Sequence, residues 1–124
     1  MEEILVLTRR IGNLFNEVLN ITMQMAEAIE RRDEVSVSMI ISMRYEPINK
    51  LEIADRALRL QLAELEDEDS QRIRAILNGD SARAADQMEQ VLANQAAMNI
   101  RTHKKLMELD EILNRKLAQE KSIY

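Results

Sequence analysis

The sequence predicts an all-α fold: an antiparallel bundle of three long helices and one short helix, with a long C-terminal helix. The first reason is composition, because the 124 residues include only two Gly, one Pro, two Tyr, one Phe and no Trp, and helix formers dominate. The second is an apolar stripe with alternating steps of three and four, formed by Ile4, Leu7, Ile11, Leu14, Val18, Ile21, Met25 and Ala28. The third is that no segment of useful length alternates as a strand does. The length suits a single domain, residues 1–124.

The first helix is predicted over about residues 2–31. Further apolar side chains widen its stripe, namely Leu5, Phe15, Leu19, Thr22, Ala26 and Ile29. A face this broad is typical of a helix that packs against at least two neighbours. Gly12 lowers the helix propensity by roughly 1 kcal/mol relative to Ala, and we expect it to permit close approach of another element.

The second helix is predicted over about residues 34–65. Asp33 is a favourable N-cap, and the basic pair before it suits the end of the first helix. The alternative is one continuous helix through this junction. Because Pro47 has no N–H, we expect a kink or a short break over residues 44–47; alternatively, Pro47 opens a fresh helix as its first residue.

The third helix is predicted to be short, over residues 70–77, with Asp69 or Ser70 as its N-cap. The turn Asn78-Gly79-Asp80 follows, and its glycine suits a left-handed C-terminal cap. A long fourth helix is predicted directly after this turn, over about residues 81–119. Gln95, Asn99 and Asp110 lie near its apolar seam. There they fix the register through buried partners, lie at the edge of the face, or mark where the helix leaves the core of its own bundle.

The length of the fourth helix suggests an interface. At ~1.5 Å per residue it spans roughly 60 Å, against roughly 45 Å for the first helix. We expect the excess to lie beyond about Leu106, where an apolar stripe without a neighbour in its own bundle would bind a partner. Two alternatives stay open: the first two helices cover the stripe, or a second copy of the chain does. The candidate partner-binding residues are Met98, Leu106, Met107, Leu109, Leu113, Leu117, Ile123 and Tyr124.

The residues that chemistry usually requires are scarce. His103 is the only histidine, and Ile100 stands where a di-iron Glu-x-x-His motif needs its Glu. The chain has no Cys, and its two glycines cannot form a phosphate-binding loop. We therefore predict no catalytic, cofactor-binding or metal-binding residues, no cofactor, and no enzymatic activity.

Charge and hydropathy also exclude some partners. The net charge is −5 and the basic pairs are scattered among carboxylates, so nucleic acid is not expected as a partner. No apolar run approaches the ~18 residues of a membrane-spanning helix, and membrane insertion is not expected. The acidic start, Met1-Glu2-Glu3, differs from the basic start of a secretory signal, which favours a cytoplasmic location.

Several of these features resemble the bacterial flagellar export chaperones of the FlgN type, with FliT-type chaperones the next nearest family. The resemblance spans most of the chain and is carried by the long first helix, Arg32-Asp33, Met43-Arg44, Leu109-Asp110 and Leu113. It implies a cytoplasmic protein of type III secretion and flagellum assembly that binds hook–filament junction proteins before export. It further implies that the client meets the C-terminal helix, at Leu106, Leu109, Leu113 and Leu117, and that Tyr124, by position, docks on an export-gate component.

The sequence therefore leads to two hypotheses. The first is a non-enzymatic export chaperone that binds amphipathic helices of secreted flagellar proteins through its C-terminal helix. The alternative is a homo-oligomeric structural or regulatory protein, in the simplest case a homodimer, whose fourth helix pairs with its own copy.

Overall fold

The computed structural model describes the backbone of residues 1–123 and the side chains of residues 1–119. Its elements are α1 (Glu2–Glu30), α2 (Glu34–Ala63), α3 (Asp67–Leu77), a short 3-10 helix (Ser81–Arg83) and α4 (Gln87–Ile123). Within residues 1–123 there are four α-helices and no strand. The all-α bundle with a long C-terminal helix is therefore confirmed.

The junction between α1 and α2 is a tight turn, as predicted, and the alternative of one continuous helix is wrong. Arg32 adopts a left-handed backbone with φ of 56°, and the N–H of Asp33 donates to the carbonyl of Ala28 at 3.0 Å, which satisfies a carbonyl at the end of α1. Asp33 then caps α2, because its carboxylate accepts hydrogen bonds from the Ser36 N–H at 3.1 Å and the Ser36 hydroxyl at 2.6 Å. These hydrogen bonds lower the pKa of Asp33 below its usual value, and the bond from the Ser36 hydroxyl has the larger effect.

Pro47 does not interrupt α2, which is continuous from Glu34 to Ala63. The short break and the alternative of a fresh helix starting at Pro47 are both wrong, and the kink stays a prediction. Proline removes one backbone hydrogen bond, but Pro47 is itself buried, and so are Ile40 before it and Ala54 after it. Packing on both sides of the proline therefore holds the helix together across the missing bond.

α1 lies between α2 and α4 and supplies more buried residues than any other helix to each of two apolar clusters. The large core joins all four helices through Ile4, Leu7, Ile11, Leu14, Ala54, Leu58, Leu62, Ile73, Ile76, Leu92 and Ala93. The small core joins α1, α2 and α4 through Ile21, Met25, Ala28, Ile29, Ile40 and Leu113. The start of α1 thus packs on the end of α2 and the start of α4. α2 is therefore antiparallel to α1, as predicted, whereas α4 is parallel to α1.

The connection from α3 to α4 differs from the expectation. A helix was predicted from residue 81, but the chain forms only the 3-10 turn there, with Gly79 at the predicted positive φ (109°), and α4 begins at Gln87. The N-cap is Asp86, whose carboxylate accepts the N–H of Glu89 at 2.8 Å. This connection allows α4 to start at the same end of the bundle as α1. α3 begins at Asp67, three residues before its predicted start.

Candidate functional site

An open cleft of about 440 Å³ lies between α2 and α4. α1 forms its floor, and the short α3 closes one end. No Cα atom of α2 comes within 8 Å of a Cα atom of α4 in the described part of the chain, so the two helices stand apart on either side of α1. The cleft is lined by Thr8, Ile11, Phe15, Asp55, Leu58, Arg59, Leu62, Arg74, Leu77, Asn78, Ala96, Asn99, Ile100 and His103.

The floor of the cleft is apolar and carries the only Phe of the chain. Phe15 is half-buried, and its ring lies 5.1 Å from that of His103 at an interplanar angle of 45°, a tilted aromatic contact. His103 itself is exposed. His103 therefore lies at the edge of the bundle, where one side of the imidazole covers Phe15.

A buried polar contact fixes α4 on α1 beside this floor. Asn99 Nδ2 donates to the carbonyl of Thr8 at 2.9 Å, and Gln95 Nε2 donates to Asn99 Oδ1 at 2.9 Å. Asn99 is buried, so one of the three polar seam residues has the buried partner that was predicted, whereas Gln95 and Asp110 are half-buried. Gly12 permits this approach as predicted, because a Cβ at that position would collide with Asn99 Oδ1 and lie 2.7 Å from Gln95 Nε2.

An ion pair fixes α3 against the start of α4 and so closes the end of the cleft. Arg72 donates to both carboxylate oxygens of Glu89, at 2.9 and 3.2 Å, and to Asp69 at 3.0 Å. Glu89 also accepts the N–H of Ala85 at 3.2 Å. The hydrogen bonds from Arg72 lower the pKa of Glu89, although burial opposes this effect.

The rim of the cleft is mainly basic. Arg59 pairs with Asp55 on α2 at 3.0 Å, and Arg74 Nε donates to the hydroxyl of Ser70 at 3.0 Å, not to a carboxylate. The apolar floor is therefore surrounded by two arginines, by Asp55 and by His103. This arrangement suits the apolar face of a helix whose polar face carries carboxylates.

The predicted partner-binding stripe at the end of α4 is covered by its own bundle. Leu106 and Leu113 are buried, and Leu109 and Leu117 are half-buried and pack against the small core. The expectation that this stripe lacks a neighbour is therefore wrong, and the alternative, cover by the first two helices, is confirmed. The reason is register: Asn99 bonds to Thr8, 91 positions away, and this parallel offset places the end of α1 beside the last turns of α4.

The other predicted residues do not share one surface. Met98 and Met107 are both exposed. They are nine residues apart, which is about two and a half helical turns, so they lie on opposite sides of α4. The side chain of Ile123 and the whole of Tyr124 lie outside the described residues. The cleft residues Phe15, Ile100 and His103 were not predicted as a site. The signal was the eleven-residue length of α3, because so short a helix cannot fill the fourth position of a bundle made with helices of about thirty residues.

Two further features bear on function. Among the described residues, no three His, Asp or Glu side chains are placed to hold a metal ion. No helix in the described part of the chain is long and apolar enough to cross a membrane.

Comparisons of the chain with known protein families, with curated proteins and with solved structures find no match.

Proposed function

We propose that this protein is a non-enzymatic binding protein that holds an amphipathic helix of a client in the cleft between α2 and α4. The observation that carries the proposal is the cleft itself, which combines an apolar floor with a mainly basic rim where α3 leaves the bundle incomplete. A helix placed there would complete a four-helix arrangement. Its apolar residues at positions i, i+3, i+4 and i+7 would face α1.

The contacts available in the cleft fit the usual anchors of such a complex. Phe15 is half-buried and Ile100 is 44% exposed, so both have apolar surface left for a client to cover. Aromatic and large aliphatic side chains in a pocket commonly contribute most of the binding energy. Asn99 is held by Thr8 and Gln95, so this wall of the cleft is fixed before a client binds, which reduces the entropic cost of binding.

The finer proposal is a flagellar export chaperone acting in the bacterial cytoplasm. The FlgN-like pattern supports it, and it makes the client a secreted hook–filament junction protein destined for the export gate. Compared with the sequence-based hypothesis, the client surface moves from the end of α4 to its middle, because Leu106 and Leu113 are already buried.

The experiment compares two exposed apolar residues on α4. Ile100 lines the cleft at 44% exposure, whereas Met98 is 51% exposed and does not line it. We expect Ile100→Glu to weaken binding of peptides from the terminal helices of hook–filament junction proteins at least about tenfold, or about 1.4 kcal/mol. Binding is measured by fluorescence anisotropy, and circular dichroism melting checks that both variants remain folded.

Met98→Glu is the matched control and should leave the affinity within about twofold, since a charge there stays in solvent. Equal loss in both variants would contradict the cleft as the site. Loss with Met98→Glu alone would move the client to the other side of α4. Tight binding of an unrelated amphipathic helix, with no binding of the flagellar peptides, would retain the cleft and overturn the flagellar assignment.

A further inference from the structure

Arg74 is the charged side chain of the cleft lining that lacks an oppositely charged partner among the described residues. Arg59, the other arginine of the lining, pairs with Asp55 at 3.0 Å. Arg74 lies on α3 and is exposed, and no ion pair of the described residues includes it. Its positive charge, at the edge of an apolar floor, is therefore available to a bound molecule.

Two hydrogen bonds in series hold Arg74 in place. Its Nε donates to the hydroxyl of Ser70 at 3.0 Å, and this hydroxyl donates in turn to the carbonyl of Leu62, near the end of α2, at 3.0 Å. The bond to Ser70 uses Nε, so the two terminal nitrogens of the guanidinium remain for a ligand. Two such nitrogens match the two oxygens of a carboxylate. Because the side chain is positioned beforehand, less entropy is lost when a carboxylate binds.

Arg74 and the apolar anchor Ile100 lie at the same end of the cleft. Asn78 follows Arg74 by about one helical turn and also lines the cleft. The next residue, Gly79, lies against Ile100, because a Cβ at Gly79 would be 3.4 Å from Ile100 Cδ1. A client helix that covers Ile100 therefore brings its neighbouring turns near Arg74.

We infer that Arg74 determines which client helices the cleft selects, by binding an Asp or Glu side chain within about two turns of the residue that covers Ile100. This inference rests on the proposed function, because it concerns a helix bound in the same cleft. The apolar floor supplies affinity for any amphipathic helix, whereas Arg74 supplies the preference for an acidic one. Ser70 acts through Arg74 as a positioning residue.

Three designed peptides test the preference. Each carries Leu at positions i, i+3, i+4 and i+7, and the flanks of this apolar face carry Glu, Gln or Lys, which have similar helix propensities. Fluorescence anisotropy should show that the full chain binds the Glu peptide about fivefold more tightly than the Gln peptide and the Lys peptide most weakly. The net charge of −5 would by itself favour the Lys peptide. A preference for Glu therefore requires a local cation, and it should shrink at about 0.5 M NaCl.

Variants of Arg74 assign the preference to this side chain. In Arg74→Gln the Glu and Gln peptides should bind within about twofold of each other, and in Arg74→Glu the Lys peptide should bind more tightly than the Glu peptide. Arg101→Gln is the matched control, because it removes the same charge from an exposed position of α4 outside the cleft lining, and it should keep the preference. Ser70→Ala should weaken the preference without changing the affinity for the Gln peptide. Circular dichroism melting checks that each variant is folded.

Two results would overturn the inference while the proposed function stands. A wild-type chain that binds the Glu and Gln peptides equally would show that the cleft does not distinguish their charge. A preference for Glu that persists in Arg74→Glu would assign it to another cation. If none of the three peptides binds, and the peptides from hook–filament junction proteins do not bind either, the proposed function fails and the inference fails with it.

Discussion

The two ends of the bundle share α1, α2 and α4 but are closed to different degrees. The large core receives buried residues from all four helices, including Ile73 and Ile76 of α3. The small core lies beyond the reach of α3, and α2 and α4 contribute one buried residue each, Ile40 and Leu113. The extent of α3, the shortest α-helix, therefore determines which end of the bundle is complete. The cleft begins where α3 ends.

The polar contacts between helices follow the same division. At the large core, the Glu89 carboxylate accepts hydrogen bonds from Arg72 and from the N–H of Ala85. Near the small core, Arg44 and Asp110 pair at 2.9 Å, but Arg44 Nε and Asp110 Oδ1 are buried without a hydrogen-bond partner. Unpartnered buried polar atoms cost free energy. The small core is therefore weaker in both its apolar and its polar contacts.

The largest expected effect comes from shortening one buried leucine in each core. Leu92 and Leu113 both lie on α4, at 0% and 1% exposure. We expect Leu92→Ala to lower the free energy of unfolding by about 3 kcal/mol and Leu113→Ala by about 2 kcal/mol, because the half-buried neighbours of Leu113 can move into the space. Urea denaturation measures both values.

Hydrogen exchange sharpens this comparison, because the small core should open before the rest of the bundle. Leu113→Ala should speed exchange mainly at the start of α2 and the end of α4, while Leu92→Ala should speed it throughout. Leu60→Ala, at an exposed position, is the control and should change the free energy of unfolding by less than about 0.5 kcal/mol. A larger loss for Leu113→Ala than for Leu92→Ala would reverse the ranking of the two cores.

The helices of this fold follow from local pattern, and their mutual placement does not. The start of α2 at Glu34 and the left-handed turn at Gly79 match the sequence signals, because caps and glycine act within a few residues. The start of α4 was missed because Asp80 and Asp86 are equally good caps by sequence, and only packing against Arg72 and α3 selects the second. Continuity at Pro47 likewise depends on tertiary burial.

The site was missed for a related reason. The greater length of α4 suggests extra turns past its neighbours, whereas the Asn99–Thr8 bond sets a parallel register in which Leu113 is covered. Periodicity identifies the apolar side of a helix but not the level at which two helices meet. The sequence predicts a close approach at Gly12 and a register contact at Asn99, but it does not predict that these two residues meet each other.

A smaller effect is expected at Gly12, where the side chains of α4 leave no space for a Cβ on α1. A Cβ in Gly12→Ala would collide with Asn99 Oδ1, and Asn99 cannot move without loosening its bond to Thr8. Overpacking of about 2 kcal/mol then exceeds the helix-propensity gain of about 1 kcal/mol, so the variant should lose about 1 kcal/mol of stability in thermal or urea unfolding.

A double-mutant cycle identifies the cause of that loss. In the Asn99→Ala background, Gly12→Ala should become neutral or stabilising, because the Asn99 oxygen is gone and the Gln95 amide, which no longer has Asn99 Oδ1 as its acceptor, can move aside. Gly79→Ala serves as the control: its cost arises from the positive φ of 109° and should be the same in both backgrounds. A Gly12→Ala cost that persists without Asn99 would show that the close approach is not what requires glycine.

The last effect concerns the ion pair that fixes α3 to α4, and it becomes the smallest at low pH. Because the pKa of Glu89 is lowered in the folded protein from its ordinary value of 4.5, the unfolded chain takes up the proton first as pH falls. The stability that Glu89 contributes is therefore complete above about pH 4.5 and is lost as pH falls through the folded pKa. Glu89→Gln should cost about 1 kcal/mol at pH 7, and the difference from wild type should shrink by about pH 3.

Leu113→Ala changes no titrating group, so its deficit should stay constant over the same range. A Glu89→Gln deficit that is equally constant would mean that the Arg72 pair contributes no pH dependence, and would leave apolar packing of Ile73 and Ile76 as what holds α3 in place.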